Sequence, residues 1–195
     1  MPKRDVQYVA GNYYHIFNRG VERRAIFRKE ENYVFLLRRL KQILAECDVT
    51  MIAYALLPNH YHWLVRQEGE EPAGRVPMRV FGSYTQAFNK AFARTGTLFE
   101  GPYKVIHVES DAYLRHLCRY IHANPVRHGM AMSPDLWPYS NYLEWVGERM
   151  GSLVDPLFVK AHFGTPNQYA QYVTEYLFGQ AQLPPGLRQY LKKLA

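Results

Sequence analysis

The stretch VTMIAYALLPNHYHWLVR, residues 49–66, constrains the fold more than any other part of the chain. Two apolar runs are split by Pro58-Asn59, residues that favour a tight turn. The pattern predicts two strands, 49–57 and 60–66, joined as a hairpin. Side chains alternate across a strand, so His60, His62 and Leu64 share one face and Tyr61, Trp63 and Val65 the other. At about 3.3 Å per residue the two imidazoles stand roughly 7 Å apart along the backbone. That separation suits two bonds of about 2 Å to one metal ion. Taken alone, such a pair is more often two ordinary hydrogen-bonded strand histidines. Two ligands also leave a site incomplete, so a metal would need a third protein group, with open positions for a substrate oxygen or water.

The flanking segments place this hairpin in a sheet. NYYHIFN (12–18) reads as a strand, and 30–47 as a helix with Tyr33, Leu36, Leu37, Leu40, Ile43, Leu44 and Cys47 on one face. After the polar loop 67–75, a second helix is expected from Pro77 to about Ala93, burying Phe81, Tyr84, Phe88, Ala91 and Phe92. YKVIHVE (103–109) reads as a fourth strand. SDAYLRHLCRYIHAN (110–124) reads as a third helix, capped by Ser110 or Asp111 and stopped by Pro125. Strand-helix-strand-strand-helix-strand is the order of a ferredoxin-like antiparallel sheet in an α+β fold. GERMGSLVDP then reads as a linker, 156–179 has helical periodicity, and QLPPGLRQYLKKLA is a short basic tail. The expected division is a domain over 1–148 and a C-terminal helical extension over 149–195.

The third helix carries a second pair of polar groups. On a wheel of 100° per residue, Leu114, Leu117, Cys118 and Ile121 form the core stripe. Tyr120 and Asn124, at i and i+4, lie about 40° apart along its edge. Arg115, Arg119 and His122 point outward. Asn124 can offer a carbonyl oxygen to a hard cation, and Tyr120 a nucleophilic oxygen. A packing tyrosine and a helix-terminal amide would give the same pattern.

The formal net charge of +7 favours a polyanionic partner, nucleic acid before membrane. Arg19, Arg23, Arg24 and Arg28 cluster after the first strand, and Lys104, Arg115, Arg119 and Arg127 around the third helix. Both groups are candidate phosphate contacts, or solvated surface. Cys47 and Cys118 form no CxxC, which fits a reduced cytoplasmic protein. No apolar run approaches membrane-spanning length.

In combination these motifs resemble the single-tyrosine HUH transposases, specifically the REP-associated tyrosine transposases, named for repetitive extragenic palindromic sequences. The matching pieces run in family order: YYHIFNRGVERRAIF (13–27), AYALLPNHYHWLV (53–65), GSYTQAFNKAFARTGTLFEGPYK (82–104), VESDAYLRHLCRYIHANPVRHGM (108–130) and WPYSNYLEWVG (137–147). PNHYH and RYIHANPVR are the most specific. The resemblance implies His60, His62 and Asn124 as ligands of Mg²⁺ or Mn²⁺, although imidazole alone would also suit Zn²⁺. It implies Tyr120 as the nucleophile that forms a 5′-phosphotyrosine on single-stranded DNA, and a DNA hairpin as partner. A homodimer that exchanges the tyrosine helix is another arrangement the resemblance allows. Glu100 and Pro102 depart from the family pattern, standing where glutamine and arginine are expected, and Tyr61 fits only if its ring faces the core. The alternatives are a replication initiator or relaxase, an RNA-recognition-like binding module, and a domesticated transposase that binds without cutting.

Overall fold

The hairpin forms as its turn chemistry dictates. In the computed structural model, which describes residues 6–179, strand β2 (Val49–Leu57) meets β3 (His60–Gln67) across Pro58-Asn59. The turn is tied down from outside. The Pro58 carbonyl accepts from the Ile26 and Phe27 amides at 2.7 and 3.0 Å, and the Asn59 carbonyl accepts from the Gly20 amide at 2.8 Å. Strands β1 (Tyr13–Arg19) and β4 (Lys104–Val108) complete an antiparallel sheet of order β2-β3-β1-β4, the ferredoxin-like arrangement expected. The basic tail at 182–195 lies outside the described residues.

Both faces of the sheet are covered, and the alternation of β3 sorts its side chains between them. Tyr61, Trp63 and Val65 enter the core beneath α1 (Glu30–Glu46) and α2 (Arg75–Ala91). There Trp63 and Tyr61 stack on Phe81 with ring centres 5.0 and 4.4 Å apart. Fully buried rings of this size contribute roughly 2–3 kcal/mol each, and Tyr61 meets the requirement that its ring face inward. Ala91, expected in the apolar stripe of α2, is exposed. The helix ends there and the chain turns away through Ala93, whose φ is +48°.

The opposite face carries Ile52, Ala55, Leu57 and Leu64 beneath α3 (Asp111–Arg127). Ser110 caps this helix by accepting from the Tyr113 amide. Pro125 does not stop it, contrary to expectation. The proline costs one backbone bond near the helix end, but its ring is buried, and the His128 amide closes the last turn on the Asn124 carbonyl at 3.0 Å.

The segment beyond 148 lies against α3. Its helices α5 (Pro156–Phe163) and α6 (Pro166–Leu177), with the preceding short helix α4 (Tyr142–Trp145), contribute Trp145, Phe158, Phe163, Tyr169 and Val173 to the same core. The outward assignment of Arg119 and His122 is therefore corrected. Both are buried, because α6 occupies the side of α3 that the wheel gave to water. His122 bonds Asn141 through Nε2 at 2.8 Å and Tyr169 through Nδ1. The Arg119 guanidinium sits 4.3 Å from the Tyr172 ring centre. Arg115 is half-buried, bonded to the His162 carbonyl and packed on Phe163.

Three imidazoles are thus locked in the fold. Burial lowers His15 and His116 to about 3 and His122 to about 4. The unfolded chain takes up protons near pH 6.5. Stability is therefore full above that value and falls as pH drops toward the folded values, by up to about 1.4 kcal/mol per pH unit for each histidine. Thermal melts should give a midpoint that is flat above pH 7 and declines steeply from pH 6.5 to 4. A midpoint constant across that range would show that these imidazoles are not buried neutral.

Candidate active site

β3 starts at His60, so the first and third side chains of the strand point toward α3, which crosses that face. Tyr120 and Asn124 come down from the helix one turn apart. His60 Nε2 lies 3.2 Å from Asn124 Oδ1. The His62 ring stands edge-on to Tyr120 with centres 5.5 Å apart, and 5.3 Å from His60. All four residues converge within one chain.

The second nitrogen of each ring is engaged. His60 Nδ1 lies 2.7 Å from Asn59 Oδ1, so the turn residue fixes the proton there and leaves Nε2 as an acceptor. His62 Nδ1 lies 3.0 Å from Nε2 of His15, a fully buried residue of β1. With the proton on His62 Nδ1, its Nε2 is likewise left as a lone pair. Burial lowers His60 to about 4, against the raising effect of Asn124, and holds His62 well below its ordinary value. Both are neutral at pH 7, as metal ligation requires.

The donor set fits a divalent cation. His60 Nε2 and Asn124 Oδ1 are two acceptors facing each other at 3.2 Å. Adjacent ligands of an octahedral ion with bonds of about 2.1 Å stand about 3 Å apart. Among the described residues no three His, Cys, Asp or Glu side chains group as metal ligands. The amide oxygen of Asn124, facing His60, could serve such an ion as a third donor.

Burial raises the Tyr120 phenol above its usual value, while Asn124 and Arg127 pull it down. Its side chain, 6% exposed, reaches the floor of an open cleft of about 610 Å³. Of the eight predicted cationic contacts, Arg19, Arg23, Lys104 and Arg127 line this cleft. Arg24 pairs with Glu22 in solvent, and Arg28 lies over Phe88 and Phe92. Arg115 and Arg119 are committed to the C-terminal helices. Glu100, one of the two departures, binds Arg19 through both of its oxygens and so offsets a cation at the cleft wall. Pro102, the other departure, lines the cleft without a charge.

Three contributors were missed from the sequence. His15 shares strand parity with Phe17, but only the β1–β3 register shows that it reaches His62. His128 packs on His60 with ring centres 4.7 Å apart, and no local pattern signals it. Asn59 has turn chemistry in the sequence, and only the structure shows its side chain on His60 Nδ1.

A family model described as IS200-like transposase matches residues 8–124. The chain belongs to the IS200-like transposase family. The family span includes His60, His62, Tyr120 and Asn124. A solved REP-associated tyrosine transposase bound to a REP hairpin is similar in fold, with a TM-score of 0.62 at 19% identity over 80% of this chain and 94% of that one. A protein described as a transposase from Deinococcus radiodurans R1 aligns at 19% identity over 61% of this chain and 95% of that one, with a TM-score of 0.43. No curated protein matches the sequence. Like the REP-associated transposase, this member of the family is an α+β protein built on a four-stranded antiparallel sheet. Among its described residues no helix is long and apolar enough to cross a membrane.

Proposed function

We propose that the chain is a DNA strand-transferase that binds single-stranded hairpin DNA, cuts the adjacent strand and rejoins it, acting in the cytoplasm. The observation that carries this reading is the convergence of Tyr120 and Asn124 with two neutral imidazoles at the floor of a cleft lined by cations. The hairpin enters the proposal through the similarity to the REP-associated transposase. Arg19, Arg23, Lys104 and Arg127 would contact phosphates, and the strand backbone supplies most of the affinity.

In the cutting step the Tyr120 oxygen attacks phosphorus and the P–O3′ bond breaks. The products are a 5′-phosphotyrosine and a 3′-hydroxyl. The phenol proton leaves to an acceptor, and the departing 3′ oxygen gains one. Because the phosphoester is kept, a second 3′-hydroxyl can reverse the step without ATP. His60, His62 and Asn124 would hold Mg²⁺ or Mn²⁺, whose chemistry is Lewis-acid polarisation of a non-bridging phosphate oxygen. Packing of Tyr120 against His62 fixes the nucleophile's ring, and burial excludes water from it.

His60→Ala and His62→Ala should each weaken Mn²⁺ binding at least about tenfold and lose metal-dependent cleavage. Electron paramagnetic resonance titration of Mn²⁺ reads the first effect independently of activity. Unchanged binding and cleavage in either variant would remove that residue from the ligand set.

A second reading, hairpin binding without cleavage, is favoured by one observation. Glu100 offsets Arg19 at the cleft wall, where the family pattern has an uncharged glutamine.

A further inference from the structure

Arg127 closes the last turn of α3 with an exposed side chain. An arginine in that position ordinarily samples many rotamers, with about 2 kcal/mol of side-chain entropy. Here it is held. Its Nη1 donates to the Tyr176 hydroxyl at 2.6 Å. The guanidinium carbon lies 5.4 Å from the Tyr176 ring centre and 5.5 Å from the Tyr120 ring centre, so the cation is in contact with both rings.

Tyr176 is itself fixed from several sides. His116 meets its ring edge-on at 5.2 Å, and the Arg119 guanidinium stands 5.3 Å from its centre. The helix that carries it is anchored by Tyr169, fully buried and bonded to His122, and by a Thr165–Gln168 capping box at its start. Tyr176 lies beyond the span matched by the family model.

We infer that Tyr176 is a positioning residue: from α6 it holds the Arg127 guanidinium beside Tyr120, so that the C-terminal helices complete the cleavage site. The inference rests on the proposed role of Tyr120 as nucleophile. One guanidinium donor is spent on Tyr176. Four remain to meet the oxygens of a phosphate that must come within reach of the Tyr120 oxygen. A guanidinium already fixed at that point loses little freedom when the phosphate arrives, which favours the reacting geometry more than ground-state binding.

The test is single-turnover adduct formation on hairpin DNA with Mn²⁺, using the full chain, Tyr176→Phe, Arg127→Ala and the double variant. Tyr176→Phe keeps the ring and loses only the hydroxyl. It should slow adduct formation about tenfold at saturating DNA, with hairpin affinity changed less than about twofold. The double variant should be no slower than Arg127→Ala alone, because the two residues act as one unit. Equal rates for the unsubstituted chain and Tyr176→Phe would overturn the inference alone. So would effects that multiply in the double variant. Failure of the unsubstituted chain to form any adduct would overturn the nucleophile assignment and this inference with it.

Discussion

Tyr120→Phe should abolish covalent capture of single-stranded DNA and leave hairpin binding within about threefold of the parent. The expected loss in adduct formation is at least about a thousandfold, since phenylalanine removes the oxygen proposed to attack. Phenylalanine preserves the ring that packs edge-on against His62 and beside Arg127. Fold and cleft should therefore persist, and the variant isolates the oxygen. A phenol of pKa about 10 is roughly one part in a thousand ionised at pH 7, and burial raises this one further. As the proposed nucleophile, the oxygen would therefore pass its proton on as it attacks. Mass spectrometry of the DNA-treated chain checks the assignment by locating the phosphotyrosine. Adduct formation undiminished in the variant would remove Tyr120 from its role. Loss of hairpin binding would reassign it to holding DNA.

Asn141→Ala should be strongly destabilising, at about 4 kcal/mol. The side chain is fully buried and uses all of its hydrogen-bonding capacity. Oδ1 accepts from the Tyr54 amide and from His122 Nε2, both at 2.8 Å, and Nδ2 donates to the Ile52 and Leu153 carbonyls at 2.8 and 2.9 Å. It joins β2, α3 and the segment leading to α5 through one amide. Alanine leaves those partners buried and unpaired, at about 1–3 kcal/mol for each one that finds no substitute. Against a total stability of about 5–15 kcal/mol, that is a large fraction. Denaturant unfolding measures it directly. A loss below about 1 kcal/mol would mean that water or a neighbour replaces the amide.

The parts of the molecule legible in the sequence are those set by local chemistry. Pro58-Asn59 marks the end of β2 and the start of β3 to the residue, and the period of two places His60 and His62 on one face. The i, i+4 spacing brings Tyr120 and Asn124 together. The wheel for α3 holds for Leu114, Leu117, Cys118 and Ile121 and fails for Arg119 and His122. A wheel finds one apolar stripe and assigns the rest to water, whereas α6 covers the other side with tyrosines that pack arginine and histidine. Pro125 misled because the proline rule describes a helix interior, and near the last turn its cost is a single bond. His15 and Asn141 could not be found locally. The first depends on strand pairing 47 residues away, and the second on partners as far as 89 residues off.

The anchored turn also bears on how such a chain can change over generations. Its two carbonyls are already bound by the amides of Gly20, Ile26 and Phe27. A one-residue insertion there would slip β3 by one position and exchange its faces. Tyr61 and Trp63 would then look into the cleft, and both imidazoles would be driven beneath α1 and α2. No point substitution could repair that frame. The polar loop at 68–74, between β3 and α2, shifts no ligand when its length changes. Relatives should therefore differ freely in the length of that loop while keeping two residues, and only two, between β2 and β3.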